Sequence, residues 1–474
     1  MVSRAAAVAA PRGTVAVALA VVLALSACTT AVPKIPSMAG VQVPGQWARP
    51  VPGGTVALEE WWRSFRDPLL VELIEAADRA NTDIAVATAN LRQARAARNE
   101  AAAALWPSLS SSAGAQRNRS AGGPGSQNRF DVRFDAAWEL DAFGGAAHAV
   151  AAQDALVLAG AATLASTRIS VAAEVALAYL ELRSAQVRGA VSRENLASQE
   201  ETLQISRWRR QAGLATSLEV EQALGAVEQT RSALPALESA AGRAAHALGV
   251  LTGQPPSALL PKLSSTAVLP QAPVGFEVAV PVETLRQRAD VVAAEQQLRA
   301  AAERVGQADA QREPGFSLGA SLGWSGLTLG ALGSGGASAS LLASIAQPLF
   351  DAGRRNARLE GSQAEFDAAR ETYRARVLLA LREVEDALVT LAGARERLAA
   401  LERALDAARN AALLASQRYA SGLIDFQTVL ETQRTLLGVQ DSVAGAQSEL
   451  AAGHVRLYKA LGGGWRLPSL EATS

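Results

Sequence analysis

The chain is written twice, and no other feature limits its possible folds as much. Leu91 and Pro107 recur as Leu298 and Pro314, both 207 residues later. Gly144, Glu174-Val175 and Gly213-Leu214 recur as Gly353, Glu383-Val384 and Gly422-Leu423, all 209 residues later. The two-residue slip falls in a Gly/Ser-rich stretch that a loop absorbs. A repeat this long makes each copy an architectural unit rather than a small stacking motif. Both copies read in one order: helix, two strands, one very long helix, a glycine turn and a helix back. Length alone, 474 residues, suggests about three domains; the duplication favours one two-fold repeated body.

The helices are legible from their stops. A first helix is expected from Asp67 to Leu105, with Asp67 as N-cap, Pro68 at the first helical position and Pro107 as terminator. Ala146 to Gln211 then runs 66 residues without proline, and Asp351 to Ala420 runs 70. At 1.5 Å per residue each spans roughly 100 Å, and such length without internal stops predicts coiled-coil packing. Leu381, Val384, Leu388 and Leu391 form a seam at spacings of 3, 4 and 3. Each rod turns at a glycine, Gly213 or Gly422, and returns over Ser217 to Leu251, where Pro235 predicts a kink, or over Phe426 to Leu461. The Pro-rich link from Thr252 to Val280 joins the copies. An aromatic content of 4 % suits a helix-rich chain.

The strands carry the other signal. From Phe130 the chain alternates: Phe130, Val132, Phe134, Ala136, Trp138 and Leu140 share one face, and Asp131, Arg133, Asp135 and Glu139 the other. Ten residues of apolar and polar alternation with aromatics near the ends meet the needs of a barrel strand in an outer membrane; a half-buried strand of a soluble sandwich alternates the same way. A weaker partner strand is expected near Pro107 to Gln116, with an exposed loop from Arg117 to Asn128 between them. In the second copy Phe316, Leu318, Ala320, Leu322 and Trp324 alternate, then a Gly/Ser loop (Gly330 to Ser338), then Leu341, Ala343, Ile345, Gln347 and Leu349. Both copies leave through related glycine bends, at Gly144-Gly145 and Gly353.

The N-terminus reads as an export signal. Arg4 and Arg12 precede an apolar stretch, Val15 to Leu25, too short to span a bilayer well. It ends in Leu25-Ser26-Ala27-Cys28, and Cys28 is the only cysteine, so an internal disulfide is excluded. A lone Cys after Leu-Ser-Ala resembles the bacterial lipobox, which implies that Cys28 is the acylated first residue; Thr29 after it fits outer-membrane sorting. Pro33, Pro36, Pro44, Pro50 and Pro52 predict an extended tether. The organisation expected is a signal over 1–27, a lipidated tether over 28–60, a first repeat over 61–260 and a second over 261–474. No further run of about 20 apolar residues is expected, so a membrane crossing falls to the strands. Four strands cannot close a barrel, since the smallest have eight, and a bare sheet leaves two unpaired edges in lipid. The chain is therefore expected to oligomerise.

Several motifs, in order and duplicated, resemble the outer-membrane efflux proteins, the TolC-like channel-tunnels, and within them the nodulation-factor-transporter-type lipoproteins. They are Trp61-Trp62 with Asp67-Pro68-Leu69; Leu285-Arg286-Gln287-Arg288-Ala289-Asp290-Val291 before Ala293-Ala294-Glu295, with Ala289 where the family has Pro; Gln347 to Arg354; and Glu383 to Leu388. The resemblance implies a mixed α+β membrane protein: a homotrimer whose strands make a twelve-strand β-barrel in the outer membrane, continuous with a coiled-coil helical tunnel in the periplasm. It implies no catalysis and no cofactor beyond the lipid on Cys28. The partners implied are outer-membrane lipid, a periplasmic membrane-fusion adaptor and an inner-membrane pump of the RND class, passing drugs or other small solutes outward.

The stretch Tyr419 to Arg434 resembles the family's gate segment. The resemblance implies a ring of acidic residues at Glu431, with Asp425, Tyr419, Gln427 and Arg434 around it. Three carboxylates near an axis repel one another and bind cations, and Arg434 is placed to pair with Glu431. From spacing alone, Asp425, Glu431 and Arg434 read as a solvated helix face with ordinary ion pairs. Gly213-Leu214 and Gly422-Leu423 resemble adaptor-docking tips; the plain alternative is a helix cap whose Leu tucks back onto the rod. His148, His246 and His454 are scattered without metal-ligand spacing, and neither a Gly-x-Ser-x-Gly elbow nor a Walker loop occurs. With 45 basic and 45 acidic residues, nothing predicts nucleic-acid binding. Two other readings remain: the exit duct of a type I peptide or protein secretion system, and a lipid-anchored periplasmic coiled-coil spacer with no pore.

Overall fold

The computed structural model describes residues 32–48, 58, 60–119, 126–264, 268–271, 281–332 and 336–463. Cys28, the signal segment, much of the tether and the middle of both strand loops lie outside the described residues. The first copy consists of α1 (Pro68–Ala80), α2 (Thr82–Ala103), β1 (Ser108–Arg119), β2 (Ser126–Leu140), α3 (Gly145–Gln211) and α4 (Ser217–Leu251). After a short α5 (Leu260–Leu263), the second copy follows as α6 (Pro281–Gln287), α7 (Ala289–Ala310), β3 (Gly315–Gly326), β4 (Ala337–Ala346), α8 (Arg354–Ala420) and α9 (Phe426–Ala460). The duplication is quantitative: α3 and α8 each have 67 residues, and α4 and α9 each have 35.

Two compact units cut across both copies. One holds the described residues of Met1–Gly40, Leu91–Gly160 and Ala293–Arg374, and contains the sheet. The other holds those of Val41–Asn90, Ala161–Val292 and Ala375–Ser474, and is helical.

The sheet is an antiparallel meander in the order β1-β2-β3-β4. Its central pairing joins the two copies, and the register sorts side chains by polarity. Val132 faces Trp324, Phe134 faces Leu322, Trp138 faces Leu318 and Leu140 faces Phe316. Phe134 and Trp324 meet edge to face at 6.4 Å. On the opposite face Asp135 pairs with Ser321 and Glu139 with Ser317. There Ser317 and Ser321 share hydrogen bonds with Ser344 (2.6 Å) and Ser340 (2.8 Å). Because side chains alternate with period two, one face is an apolar row and the other a hydroxyl-rich polar row. β1 and β4 each pair on one side only.

Several boundaries differ from the sequence reading. The expected single helix to Leu105 breaks at Asn81, whose backbone is extended and whose side chain accepts from Asp83 N (2.8 Å) and Ile84 N (3.3 Å) to start a second helix. β1 and β2 run further into the expected loop, to Arg119 and from Ser126. β4 stops at Ala346, so Gln347 and Leu349 lie in the exit bend, where Gln347 Nε2 donates to Arg312 O at 3.0 Å. The bend places Ala352 and Gly353 at φ 55° and 85°, so α8 starts at Arg354 rather than Asp351. α4 passes through Pro235 as one uninterrupted helix. One correction concerns hydropathy: α3 contains an 18-residue window with mean hydropathy 1.5, long and apolar enough by that measure to cross a membrane.

The helical unit has its own core. Trp61 stacks on Tyr458 at 5.2 Å, beside Leu70, Tyr179, Leu180 and Leu248. Tyr179 donates to Asp67 Oδ2 at 2.7 Å, and Arg183 Nε donates to Tyr179 at 3.0 Å. Asp67 also caps α1 through Leu69 N and Leu70 N, so the expected N-cap forms and is tied to α3.

Candidate functional site

The sequence pointed to the two turns, α3 to α4 and α8 to α9, and the structure builds them as homologous caps. Gly213 and Gly422 sit at φ 76° and 71°, a conformation that favours glycine. Leu214 N donates to Arg209 O (2.8 Å) and Gly213 N to Arg210 O (2.9 Å). Leu423 N donates to Arg418 O (2.9 Å) and Gly422 N to Tyr419 O (3.0 Å). Both are Schellman motifs, which satisfy the last carbonyls of the long helices. Such a cap usually folds its following apolar residue onto the rod. Here Leu214 and Leu423 remain 70 % and 74 % exposed, so neither tucks back. Ile205, Trp208 and Leu218 extend the exposed apolar surface of the first turn.

The return helices start from different caps. Thr216 accepts from Glu219 N at 3.3 Å while Glu219 Oε1 accepts from Thr216 N at 3.3 Å, a capping box. Asp425 accepts from Thr428 N at 2.9 Å and from the Thr428 hydroxyl at 2.6 Å. Those two Thr428 donors hold the exposed Asp425 carboxyl below its ordinary range. Asp425 is thus first a cap.

Tyr419 is buried where the turns meet. It packs with Phe426 (centroids 5.5 Å apart) in a core with Leu203, Val220, Val227, Val429 and Leu430. Its hydroxyl donates to Glu219 Oε2 at 3.4 Å, a long bond from the second copy to the cap of the first. The Arg209 guanidinium lies 4.4 Å above the ring, and Arg209 Nη1 donates to Tyr419 O at 3.2 Å. Burial pushes the Tyr419 hydroxyl above its ordinary pKa. Sequence reading missed Arg209 and Glu219. The Thr216-x-x-Glu219 capping signature was visible, but nothing in the sequence announced that Glu219 would meet Tyr419.

Along α9, Phe426, Val429 and Leu430 are buried while Gln427, Glu431 and Arg434 are exposed. Gln427 and Glu431, one turn apart, share a face. Glu431 and Arg434 form no ion pair; Arg434 instead lines a cavity with residues of α3 and α4. α3 is tied to α9 by three polar contacts: Arg188 to both oxygens of Asp441 (2.6 and 2.9 Å), Asn195 Nδ2 to Gln440 Oε1 (2.7 Å) and Gln433 Nε2 to Thr202 Oγ1 (3.1 Å).

Of the histidines, His148 meets Glu303 Oε2 at 2.7 Å, and His454 is buried. Among the described residues no group of three or more His, Cys, Asp and Glu is placed to hold a metal ion.

Comparison with known proteins adds to this geometry. The outer membrane efflux protein family matches residues 73–254 and again 280–463, one match per copy. The pyoverdine export outer membrane protein OpmQ of Pseudomonas aeruginosa is 32 % identical over 459 residues, covering 94 % of this chain and 95 % of that protein. The toluene efflux pump outer membrane protein TtgF of Pseudomonas putida is 32 % identical over 412 residues, 85 % of each chain. The solved structure of the outer-membrane channel OprN is 36 % identical, with TM-score 0.81 over 92 % of this chain and 97 % of that one. A twice-repeated match across most of the sequence, with the same fold over the same length, places the chain in the outer membrane efflux protein family.

Proposed function

We propose that this chain is the outer-membrane duct of a tripartite efflux system, a homotrimer that receives small solutes from a periplasmic adaptor and an inner-membrane RND-class pump. The observation carrying this reading is the sheet. It has an exposed apolar row, a hydroxyl-rich opposite row and one unpaired edge on each of β1 and β4. Unpaired backbone groups in lipid cost several kcal/mol each, so the edges must meet those of other copies. Three chains supply twelve strands, with the apolar row toward lipid and the serine row toward water.

In this assembly Glu431 faces the pore near its periplasmic end and, with its symmetry mates, forms an anionic constriction. Tyr419, Arg209 and Glu219 hold the two turns together behind it. The exposed Leu214 and Leu423 dock the adaptor, and Cys28 carries the lipid that fixes the N-terminus to the membrane. The pyoverdine export and toluene efflux for which the two relatives are named support a small-solute cargo.

The test is photo-crosslinking in living cells from probes at Leu214 and Leu423, together with gel mobility of the unheated protein. The reading requires a heat-modifiable trimer and capture of a periplasmic adaptor. A chain that runs as a monomer before heating and gives self-crosslinks only, while expressed with its pump, would be a lipid-anchored spacer instead.

A further inference from the structure

In the helical unit an open pocket of about 550 Å³ lies between α3, α4 and α9, with Ala233, Ala236, Arg434 and Gly438 exposed at its mouth. It includes Arg434, one helical turn beyond Glu431 on α9, but the efflux reading assigns no role to the pocket itself. Its volume falls within the range of small-molecule sites. Ala226, Ala233, Ala236 and Gly438 keep it open; a Cβ added at Gly438 would meet nothing within 4 Å. Leu237 and Leu437 give it apolar wall.

Its polar groups are unequally satisfied. Arg188 and Asp441 neutralise each other in a bidentate pair. Arg434 also lines the cavity, and among the described residues it forms no ion pair. Gln199 lines it too, is only 5 % exposed, and its Oε1 accepts no hydrogen bond. A buried acceptor without a protein donor is costly to keep, and a ligand N–H or O–H in the pocket would satisfy it. The pocket therefore offers a guanidinium without a protein anion, an acceptor in Gln199 without a protein donor and apolar surface on the two leucines.

We infer that this cavity binds an amphiphilic organic anion carrying a hydrogen-bond donor, a holding site for solutes of that class built into the wall of the duct. The inference rests on the efflux reading for the biological source of the ligand, while the binding chemistry stands on the cavity alone. Sulfonates and carboxylates meet a guanidinium through charge-assisted bonds, the N–H or O–H goes to Gln199 Oε1, and rings or chains cover Leu237 and Leu437.

The experiment uses the full-length protein in discs of zwitterionic lipid, with 8-anilinonaphthalene-1-sulfonate as probe. This molecule carries the sulfonate, the N–H and the apolar rings in one body. Equilibrium dialysis against empty discs should give one saturable site per chain. Affinity should fall about tenfold or more in Arg434→Gln, fall similarly in Gln199→Leu, and fall in Ala233→Trp, whose indole occupies part of the pocket. Arg382→Gln, an exposed control on α8, should bind like the parent. Circular dichroism of each variant confirms folding, and Arg434→Gln, at an exposed position, keeps the test decisive if a buried variant misfolds. Absence of saturable binding, or affinity equal to the parent's in both Arg434→Gln and Ala233→Trp, would overturn the inference. Loss of binding in variants that still restore drug efflux to a deletion strain would leave the duct reading intact and separate the two claims.

Discussion

Asn81 and Arg288 occupy the same place in the two copies, 207 residues apart, and perform one task with different chemistry. Asn81 Nδ2 donates to Leu251 O at 2.9 Å, and Arg288 Nη1 donates to Ala460 O at 2.6 Å. Leu251 and Ala460 are themselves equivalent, the last residues of α4 and α9. In each copy the side chain at a helix start thus satisfies a carbonyl at the end of the return helix. The second copy adds charge. Arg288, 5 % exposed, makes a bidentate pair with Asp290 (3.0 and 2.7 Å) and reaches Glu383 at 2.6 Å. Burial alone would raise the Asp290 pKa, but Arg288 outweighs it and holds the carboxyl below its ordinary range.

Removing Arg288 leaves a half-buried carboxylate without its cation. Arg288→Ala should cost about 3–5 kcal/mol, the usual penalty for breaking a buried pair, and Arg288→Lys should recover only part of it because an ammonium lacks the planar fork. Asn81→Ala should cost less, about 1–2 kcal/mol for a lost cap. Melting of the detergent-solubilised protein followed at 222 nm reads both; equal losses at the two positions would refute the charge argument.

The glycines beside these junctions make a second matched pair. Gly253 and Gly462 lie at φ 70° and 92°. A Cβ on Gly253 would fall 2.4 Å from Ala80 O, whereas one on Gly462 would lie 3.2 Å from the Arg288 Cα. Gly213, also at positive φ, has nothing within 4 Å. Alanine at Gly213 should therefore cost only the left-handed conformation, about 1–2 kcal/mol. Gly462→Ala should cost somewhat more, and Gly253→Ala most, because backbone must move. The melting order should be Gly213→Ala above Gly462→Ala above Gly253→Ala, and any reversal would show that the α1–α4 junction yields more easily than its geometry indicates.

Much of this frame was visible in the sequence because proline and glycine punctuate it. The start and end of α4, the starts of α3 and α9 within a residue and the glycines of both turns follow from stops and caps. The break at Asn81 was missed although Asn81-Thr82-Asp83 is a capping sequence, since no proline or glycine marks it and α2 continues with helix-forming residues. Gln347 and Leu349 continue the alternation and predict a longer β4, while the chain has already turned toward Ala352 and Gly353. Near the turns, motif alone directs attention to Tyr419, Glu431, Leu214 and Leu423, and the structure shows Tyr419 buried and the other three exposed. The contacts of Arg209 and Glu219 with Tyr419 were not legible, because they join residues about 200 apart through packing that no local pattern encodes.

The contact behind the turns should act on opening more than on stability. The Tyr419–Glu219 bond is long at 3.4 Å, so Tyr419→Phe should cost under about 1 kcal/mol. Arg209→Ala removes both the cation over the ring and the bond to the Tyr419 carbonyl, worth about 1–2 kcal/mol together, and should loosen the turns further. In planar bilayers single-channel conductance should rise in the order parent, Tyr419→Phe, Arg209→Ala, with melting nearly unchanged in Tyr419→Phe. Unaltered conductance in both variants would remove these residues from the gate.

Acid should reach the fold through His454 before it reaches Asp290. Burial first, and then the nearby Arg395, push the His454 pKa down to about 4 from an ordinary 6.5. The folded state therefore holds this imidazole neutral where an unfolded chain would protonate it. Stability from this group is complete above about 6.5, and falls as pH drops toward 4, by about 3 kcal/mol per chain at 1.36 kcal/mol per pH unit. Asp290 acts later: its pKa is lowered from 3.8, so its contribution persists above that value and is lost only as pH falls below it. His454→Gln cannot titrate. Whatever its stability at pH 8, its melting temperature should be flat between pH 6.5 and 4 where the parent's declines, and both should decline below pH 3.8. A parent profile already flat from 6.5 to 4 would mean that His454 gains its proton without leaving the core.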